Sequence, residues 1–330
     1  MNYRAIISGT GHYTPAAVLT NADLERIVDT SDEWIIARTG IRERRIRHNG
    51  EATSDFTVAA AQGAIDESGL TPRDIEAVIV GTVTPDYRLP STASIVQQKL
   101  DIPRAAIMDI AAACAGFLYG LALAKACVEA GMYRAILLAG AETLSSITNY
   151  RDRNTCVLFG DGCGCAVVTR GNDRNHDQGI LATHISGDGR LGNLLHMPIG
   201  GSRVPLTPQN FSEHGHLIAM DGREVFKHAV REMADSCARA LDMAGLDAGD
   251  IDLIVPHQAN IRIIEALARR LGVDRNKVYV NIDRYGNTSA ASVPIALDEA
   301  RRAGLIRKGH TVLMTAFGGG LTWGSAVVRF

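Results

Sequence analysis

Apolar runs of strand length and segments with helical periodicity alternate along this chain, and their order predicts an α/β fold. Helical patterns lie between many of the apolar runs. The predicted strands form two groups, the first at Ala5–Gly9, Ala77–Gly81, Ala105–Ile110, Ala135–Ala139 and Gly164–Thr169, and the second at Leu181–Ser186, Leu253–Pro256, Val278–Val280, Thr311–Thr315 and Gly324–Arg329.

The least polar stretch, Ile110–Ala124, predicts a helix that is buried on all sides and runs to about Glu129. It stops at Lys125 and is too short to span a bilayer. Cys114 lies at the turn between the preceding strand and this helix. The free N–H groups and partial positive charge of a helix N-terminus lower the pKa of a thiol, so Cys114 is a candidate thiolate nucleophile. The alternative is a small buried apolar residue, as most free cysteines are.

The two groups of strands belong to an internal repeat. Ala64–Ile75 aligns without a gap on Ala240–Ile251, at an offset of 176 in the numbering, and six of the twelve positions are identical. The same offset places strand Ala135–Ala139 on strand Thr311–Thr315. The chain is therefore predicted to contain two similar halves, each a sheet packed by helices.

The polar, glycine-containing segment Arg170–Gly179 is the predicted boundary, which divides the chain into an N-terminal half, 1–170, and a C-terminal half, 171–330. Open α/β sheets bind ligands beyond the carboxyl ends of their strands. When two such halves pack together, catalytic groups from equivalent strand ends can converge at the junction.

Two residues of the second half stand where such groups are expected. His257 follows the strand that ends at Pro256, and Asn287 follows Gly286 on a predicted tight turn. Each also has a structural explanation, as a capping histidine and a turn asparagine. Together with Cys114, however, they form a Cys–His–Asn set at three strand-to-helix corners.

Composition and charge narrow the classes of partner. The formal net charge is −2, so no overall attraction draws the chain to nucleic acid or to an anionic membrane. The six cysteines include no Cys-x-x-Cys pair, which argues against a zinc site or a disulfide framework and fits a reducing cytosol. The N-terminus lacks a signal-peptide layout. We expect a cytoplasmic protein that binds neither nucleic acid nor membranes.

A Cys–His–Asn set supports more than one chemistry. In a papain-type protease, His deprotonates Cys and Asn orients the imidazole, and the order and spacing of Cys114 and His257 suit that family. The Cys-Gly-Ser-Cys-Trp context of that family is absent, and the duplicated halves do not fit it. In the second scheme, the cysteine carries an acyl group while His and Asn face another thioester. A scaffold that binds acyl-CoA without catalysis is the third hypothesis.

Several long motifs decide among these hypotheses. They are Thr30–Arg44, Asp109–Phe117, Phe159–Gly162, His257–Arg262, Gly286–Ser292 and Phe317–Gly324. With these motifs, the chain resembles β-ketoacyl-acyl carrier protein synthase III, the initiating condensing enzyme of bacterial type II fatty acid synthesis, from end to end. The resemblance implies a thiolase-like α/β fold of two duplicated halves, with sheets layered between helices.

The resemblance implies a ping-pong reaction with a covalent intermediate. Cys114 would take an acyl group from a short acyl-CoA primer, with its own N–H and that of Gly319 as the oxyanion hole. His257 and Asn287 would then stabilise the enolate formed when malonyl-acyl carrier protein loses CO2. Asn287 distinguishes this family from relatives with a second His or a Glu, and Ala316 stands where a thiolase would carry a second cysteine. Neither a cofactor nor a metal is implied.

The resemblance also implies contacts outside the catalytic set. The residues matching contacts to coenzyme A are Thr30, Trp34, Arg38, Arg153, Asn260 and Phe317, the last of which has an alternative as a plain core aromatic. The residues expected to dock the acidic carrier protein are Arg262, Arg269, Arg270 and Lys227. Leu89 lies in the loop that, in this family, reaches the partner of a homodimer, and its bulk favours a short primer.

Two features depart from the family pattern or remain without a role. Met220–Arg223 reads Met-Asp-Gly-Arg in place of Met-Ala-Gly-Asn, which puts a contact to coenzyme A near Arg223 in doubt. The segment from 170 to 216 holds five histidines, at 176, 184, 196, 214 and 216, and a metal role would need an ordered ligand set.

Overall fold

The structure is a computed structural model that describes residues 3–171, 178–211 and 214–330. Its strands are β1 (Ala5–Tyr13), β2 (Val18–Thr20), β3 (Glu43–Arg45), β4 (Ala77–Gly81), β5 (Ala106–Ile110), β6 (Ala135–Glu142), β7 (Gly162–Arg170), β8 (Gly179–Gly187), β9 (Leu195–His196), β10 (Ala219–Met220), β11 (Leu253–Pro256), β12 (Thr311–Gly318) and β13 (Thr322–Arg329). Its α-helices are α1 (Asn21–Glu25), α2 (Asp32–Thr39), α3 (Thr53–Ser68), α4 (Thr92–Lys99), α5 (Gly116–Glu129), α6 (Arg153–Cys156), α7 (Pro208–Phe211), α8 (Gly222–Ala244), α9 (Ile261–Leu271), α10 (Ile282–Tyr285) and α11 (Ser292–Arg302).

Two mixed sheets form the framework, and four strands of the first have the same order and direction as the four strands of the second. The first has the strand order β1-β7-β6-β4-β5, with antiparallel pairs at the β1 side and parallel pairs from β6 to β5. The second has the order β8-β13-β12-β11, again antiparallel and then parallel. The parallel strands β4 and β11 are buried on both faces, as their continuous apolar runs predict.

The strand predicted at Val278–Val280 is wrong. Val278 forms only an isolated bridge with Ile254, at the place where the first sheet has its fifth strand. The Gln258 side chain forms hydrogen bonds with the backbone of the residues that follow Val278. Its Nε2 donates to Tyr279 O at 3.2 Å, and its Oε1 accepts from Asn281 N at 3.1 Å. A side chain has therefore replaced a strand partner here.

Helices cover both sheets and fill the space between them. α5 and α11 lie in the middle and contribute to the largest apolar core, together with the inner faces of both sheets. α3 and α4 cover the outer face of the first sheet, and α8 and α9 cover the outer face of the second. The result is a five-layer α/β architecture, as the duplicated pattern predicts.

The offset of 176 found in the sequence recurs in the element bounds. α3 ends at Ser68 and α8 at Ala244, and β4 begins at Ala77 where β11 begins at Leu253. β6 and β12 begin at Ala135 and Thr311, which differ by the same offset. The two sheets and their helices are therefore built to one plan. The boundary at 170/171 stays a prediction, and part of its segment lies outside the described residues.

α5 differs in one respect from the helix predicted for this stretch. Its first half is buried almost all round, but Leu123 is exposed and Lys125 pairs with Glu129 at the surface of its second half. The prediction of a helix buried on all sides therefore holds only as far as Leu121. Among the described residues, no helix combines the length and the apolar character that crossing a bilayer requires.

Candidate active site

Cys114 lies in a single 3₁₀ turn, Ala113–Ala115, between β5 and α5. Ala113 has a φ of 44°, in the left-handed region that costs a non-glycine residue energy. The turn is held from the other half of the chain, because Gly318 at the end of β12 packs against the Cys114 backbone. A Cβ atom at position 318 would lie 2.5 Å from Cys114 N. Glycine is required here for the two backbones to approach.

The lowered thiol pKa expected from the helix N-terminus is wrong. Burial, together with the negative charge of Glu142, raises the pKa of Cys114 to about 12. The Ser289 hydroxyl acts in the opposite direction and lowers the Cys114 pKa. Burial therefore favours the neutral thiol over the thiolate at Cys114.

His257 follows β11 and is buried. Its backbone N–H donates to Thr315 O at 2.7 Å, which anchors it to the neighbouring strand β12. The Ser292 Oγ lies 2.6 Å from His257 Nδ1, and Ser292 Oγ itself accepts from Gln258 N at 3.4 Å. The Ser292 hydroxyl proton is thus available to Nδ1, which leaves the ring proton on Nε2.

The protonation state of His257 follows from its burial. Desolvation lowers the pKa of His257 to about 3, so the imidazole is neutral at physiological pH. A neutral ring with its proton on Nε2 is a hydrogen-bond donor that carries no charge.

Asn287 is positioned by its backbone and by its own side-chain oxygen. Its N–H donates to Leu158 O at 2.8 Å, and its carbonyl accepts from Gly160 N at 3.0 Å. The Oδ1 accepts from Ser289 N at 2.9 Å. Because Oδ1 is engaged, the amide orientation is set and Nδ2 is the group left to donate into the neighbouring cavity.

These three residues line one cavity of about 1050 Å³. Cys114, His257 and Asn287 are buried, whereas other lining residues such as Arg38 and Arg262 are exposed, so the cavity runs from the surface to the three corners. Two halves of the chain therefore contribute to one site, as the repeat predicts.

Of the predicted contacts to coenzyme A, four line the cavity (Trp34, Arg38, Asn260 and Phe317), whereas Thr30 and Arg153 do not. Two guanidinium groups lie over the Trp34 ring, with Arg38 at 4.8 Å and Arg153 at 4.7 Å from its centroid. The Thr30 Oγ1 is buried and, within the described chain, has no hydrogen-bond partner. Asn260 is engaged differently, because its Oδ1 caps α9 and its Nδ2 donates to Arg38 O at 2.9 Å.

Phe317 and Gly319 lie at the end of β12. Phe317 is buried, lines the cavity and stacks on Trp323 with ring centroids 6.2 Å apart. Gly318 packs on Cys114, whereas Gly319 packs beside Leu195. The oxyanion-hole role of Gly319 stays a prediction.

The predicted docking residues divide into two pairs. Arg262 and Lys227 line the open end of the cavity, where Arg262 lies over the Phe226 ring and Lys227 pairs with Glu224. Arg269 and Arg270 lie further along α9, are exposed and do not line the cavity.

Leu89 does not line this cavity. Its side chain is 87% exposed, beside Tyr87 at 63%, in the loop before α4. An acyl pocket that includes Leu89 therefore requires a surface beyond this one chain. Arg223, by contrast, is exposed and lines the cavity, so the departure from the family pattern lies at the site itself.

The histidines of the segment from 170 to 216 form no common site among the residues described. His184 Nδ1 lies 2.9 Å from Ser236 Oγ, His214 Nε2 lies 2.8 Å from Arg151, and His216 stacks on Phe211. His196 lies in β9, and His176 falls outside the described residues. In the described ranges, no three His, Cys, Asp or Glu side chains are arranged to hold a metal ion.

Three residues of the site were not singled out from the sequence. Ser289 and Ser292 lie within the quoted motif Gly286–Ser292. The offset of 176 aligns them with Ala113 and Gly116, in the turn that holds Cys114, so the repeat could have indicated both. The sequence held no comparable indication for Glu142. The same offset aligns it with Gly318, and a position at a strand end does not indicate burial beside a thiol.

Comparisons with known proteins agree with the motifs. Two family models match, described as 3-oxoacyl-acyl-carrier-protein (ACP) synthase III over residues 108–189 and its C-terminal part over residues 241–330. A beta-ketoacyl-ACP synthase III of Caldanaerobacter subterraneus is 54% identical over 98% of this chain and 97% of its own length. The corresponding protein of Clostridioides difficile is 52% identical over 100% of this chain and 99% of its own.

Solved structures give the same result. The crystal structure of 3-oxoacyl-ACP synthase III from Aquifex aeolicus has a TM-score of 0.91 and 47% identity, covering 99% of this chain and 100% of that one. The priming β-ketosynthase of the R1128 polyketide pathway has a TM-score of 0.91 and 34% identity, covering 100% and 98%.

Proposed function

Since the chain belongs to the 3-oxoacyl-ACP synthase III family, we propose that Cys114, His257 and Asn287 are its catalytic residues. The chain is an acyltransferase that catalyses the initiating condensation of fatty acid synthesis. The observation that supports the three roles is their convergence, from both halves of the fold, at the buried end of one cavity.

In the first step, the Cys114 sulfur attacks the thioester carbonyl of a short acyl-CoA. A C–S bond to Cys114 forms, the bond to the coenzyme A sulfur breaks, and coenzyme A leaves as the thiol after taking up the proton released by Cys114. The Cys114 and Gly319 N–H groups are the proposed donors to the oxyanion. Trp34, Arg38, Arg153 and the unpartnered Thr30 hydroxyl would hold the coenzyme A moiety at the open end.

In the second step, malonyl-ACP enters and loses CO2. His257 Nε2 and Asn287 Nδ2 donate to its thioester oxygen, where the negative charge of the enolate develops. Both donors are neutral, so neither is lost by deprotonation near pH 7. The enolate carbon then attacks the acyl-Cys114 carbonyl, the Cys114 thiolate leaves, and β-ketoacyl-ACP is released.

Partners beyond the substrates belong to the same proposal. Arg262 and Lys227 supply positive charge at the open end of the cavity, where an acidic carrier protein would approach. The exposed Leu89 and Tyr87 favour a homodimer in which this loop is covered by a second copy and closes its acyl pocket. A cytoplasmic location and the lack of any cofactor stay predictions.

The test is intact-mass analysis after mixing with acetyl-CoA. We expect one added acetyl group that is absent in Cys114→Ala and is discharged, with release of CO2, when malonyl-ACP is added. Cys127→Ala is the matched control, because Cys127 is the half-buried cysteine of α5 and does not line the cavity. An adduct that survives in Cys114→Ala, or the lack of an adduct with any short acyl-CoA, would contradict the proposal.

A further inference from the structure

Arg44, in the short strand β3, is a fully buried guanidinium that pairs directly with no carboxylate among the residues described. Its Nη2 donates to Val157 O at 2.6 Å, and its Nη1 donates to Asn21 Oδ1 at 2.7 Å and to Leu19 O at 3.3 Å. Burial lowers the pKa of Arg44 only to about 10, so the group stays charged at neutral pH. Burying a cation without an anion beside it is rare and costly, so this arginine calls for a role.

The carbonyl that Arg44 binds belongs to residues 157–160, which we call the support segment. This segment also holds the backbone of Asn287. Leu158 O accepts from Asn287 N at 2.8 Å, and Gly160 N donates to Asn287 O at 3.0 Å. Both backbone groups of Asn287 are therefore bonded to the segment that the Arg44 guanidinium fixes.

The aliphatic stem of Arg44 packs against the two glycines at which the support segment and the Asn287 turn meet. A Cβ atom at Gly160 would lie 3.0 Å from Arg44 Cβ, and one at Gly286 would lie 3.4 Å from it. The Gly286 Cβ would also lie 2.6 Å from Leu158 O. Gly286 directly precedes Asn287 and has a φ of 63°. Stem and guanidinium therefore contact the same arrangement at two places.

The support segment is part of the cavity wall. Its residues Val157, Leu158 and Phe159 line the cavity, and so does Asn287. Arg44 does not line the cavity, so it touches neither substrate nor reacting atoms. Any effect of Arg44 on the reaction must therefore pass through the backbone of the wall.

We propose that Arg44 is a positioning residue for Asn287. It fixes the support segment, and the segment fixes the backbone from which the Asn287 amide donates to the thioester oxygen of malonyl-ACP. A guanidinium suits this task, because its planar fork binds Val157 O and Asn21 Oδ1 at the same time. Ser289 N orients the amide itself. The inference rests on the proposed role of Asn287 as a donor to the enolate.

The effect is expected in one of the two chemical steps. Misplacing Asn287 weakens its donation to the enolate, which forms when malonyl-ACP loses CO2. The Cys114 turn is held by Gly318 instead, and the hydrogen bonds of Arg44 go to other residues. Loss of Arg44 should therefore slow CO2 release while acetylation of Cys114 persists.

The test is Arg44→Met in the full-length protein, which removes the donors and keeps an aliphatic stem against the two glycines. At saturating acetyl-CoA and malonyl-ACP, we expect CO2 release about tenfold slower and acetylation of Cys114 within about twofold of the wild type. In CO2 release, Arg44→Met combined with Asn287→Ala should be no slower than Asn287→Ala alone, because both act through one amide. Labelled CO2 and intact mass measure the two steps.

Arg170→Met is the matched control. The Arg170 Nη2 also donates to a backbone carbonyl, Gly131 O at 2.7 Å, and Arg170 does not line the cavity. This variant should leave both steps unchanged. Arg44→Lys keeps the test decisive if Arg44→Met fails to fold. A single ammonium group cannot reproduce the fork, so we expect CO2 release about threefold slower with acetylation unchanged.

Three results would overturn the proposal. They are CO2 release at the wild-type rate in Arg44→Met or in Arg44→Lys, an equal loss in both steps, and losses that multiply when Arg44→Met is combined with Asn287→Ala. The last two would mean that Arg44 supports the fold as a whole.

Failure of the proposed function gives a different result. If the wild type takes no acetyl group, or if Asn287→Ala releases CO2 as fast as the wild type, the proposed roles are wrong. Hydrogen exchange of the Asn287 and Gly160 amides still tests what Arg44 does. Both amides should exchange about tenfold faster in Arg44→Met and not in Arg170→Met. Unchanged exchange would show that Arg44 does not fix the support segment.

Discussion

The turn Ala113–Gly116 and the turn Ser289–Ser292 are repeat equivalents with nearly the same backbone, yet one carries a thiol and the other does not. Each is a 3₁₀ turn that opens with a left-handed residue and leads into a helix of the central layer. Cys114 in the first turn corresponds to Ala290 in the second. The duplicated fold therefore built the same corner twice.

The surroundings of the two corners explain the difference. Cys114 lines the cavity, whereas Ala290 is fully buried and does not. A Cβ atom at Gly140 would overlap the Ala290 carbonyl oxygen, so strand β6 closes that side of the second turn. The second corner instead supplies Ser289 to Cys114 and Ser292 to His257. Equivalent backbones thus acquire a nucleophile in one place and supporting hydroxyls in the other.

The largest effect is expected when the thiol is moved from the first turn to the second. Cys114→Ala should lower acetylation by acetyl-CoA at least about 10³-fold, and Ala290→Cys in that background should not restore it. The added sulfur has no route to the cavity and overpacks a closed corner, which costs about 1–3 kcal/mol of stability. Intact mass measures the acetyl group and urea unfolding measures the stability; acetylation of the thiol introduced at position 290 would show the corners to be chemically interchangeable.

The two proposed catalytic residues that the second half contributes to the cavity should affect the release of CO2 and not the acetylation of Cys114. His257→Ala and Asn287→Ala are expected to slow CO2 release from malonyl-ACP by roughly 10²–10³-fold while acetylation of Cys114 persists. Radiolabelled CO2 release and intact mass separate the two steps. Equal loss of both steps would mean that these residues serve the nucleophile as well.

The pH dependence of this step follows from the His257 pKa of about 3. CO2 release should show no inflection near the ordinary histidine value of about 6.5. Because the unfolded chain binds this proton first, the stability that neutral His257 contributes is present above about pH 6.5 and declines as the pH falls toward 3. His257→Asn should therefore make the unfolding free energy less sensitive to pH in this window.

A glycine packs against the backbone of each turn, Gly318 against the first and Gly140 against the second. Substituting them should distinguish an effect on stability from an effect on acetylation. Gly318→Ala and Gly140→Ala each place a methyl group against backbone and should lower the free energy of unfolding by about 1–3 kcal/mol. Only Gly318→Ala should also slow acetylation, since it displaces the Cys114 N–H. Urea titration and acetylation rates test this, and equal acetylation losses would contradict the distinction.

The smallest expected effect concerns the hydroxyl that the second corner gives to His257. Ser292→Ala removes the hydrogen bond at Nδ1 and should slow CO2 release about fivefold, as expected for a loss of about 1 kcal/mol. Ser292→Thr, which keeps the hydroxyl, is the matched control. Rates in Ser292→Ala that equal those of the wild type would show that burial alone orients the ring.

Local pattern and repetition determined much of this protein. The apolar runs located the strands of both sheets closely, with one exception, and the constant offset of 176 showed that there are two halves of one plan. The positions of Cys114, His257 and Asn287 after strand ends indicated a shared site. These features could be predicted because strand and helix periodicity, and the order of a repeat, are properties of contiguous sequence.

Only the tertiary structure decided how the site is tuned. The thiol pKa runs opposite to the expectation from the helix N-terminus, because burial and Glu142 come from packing that no local pattern encodes. The contact between Glu142 and Ser289 spans 147 residues, and the strand expected at Val278 yields to the Gln258 side chain. Leu89 lies outside the cavity. Desolvation and long-range contacts depend on the whole fold, so they emerge only when the two halves are packed together.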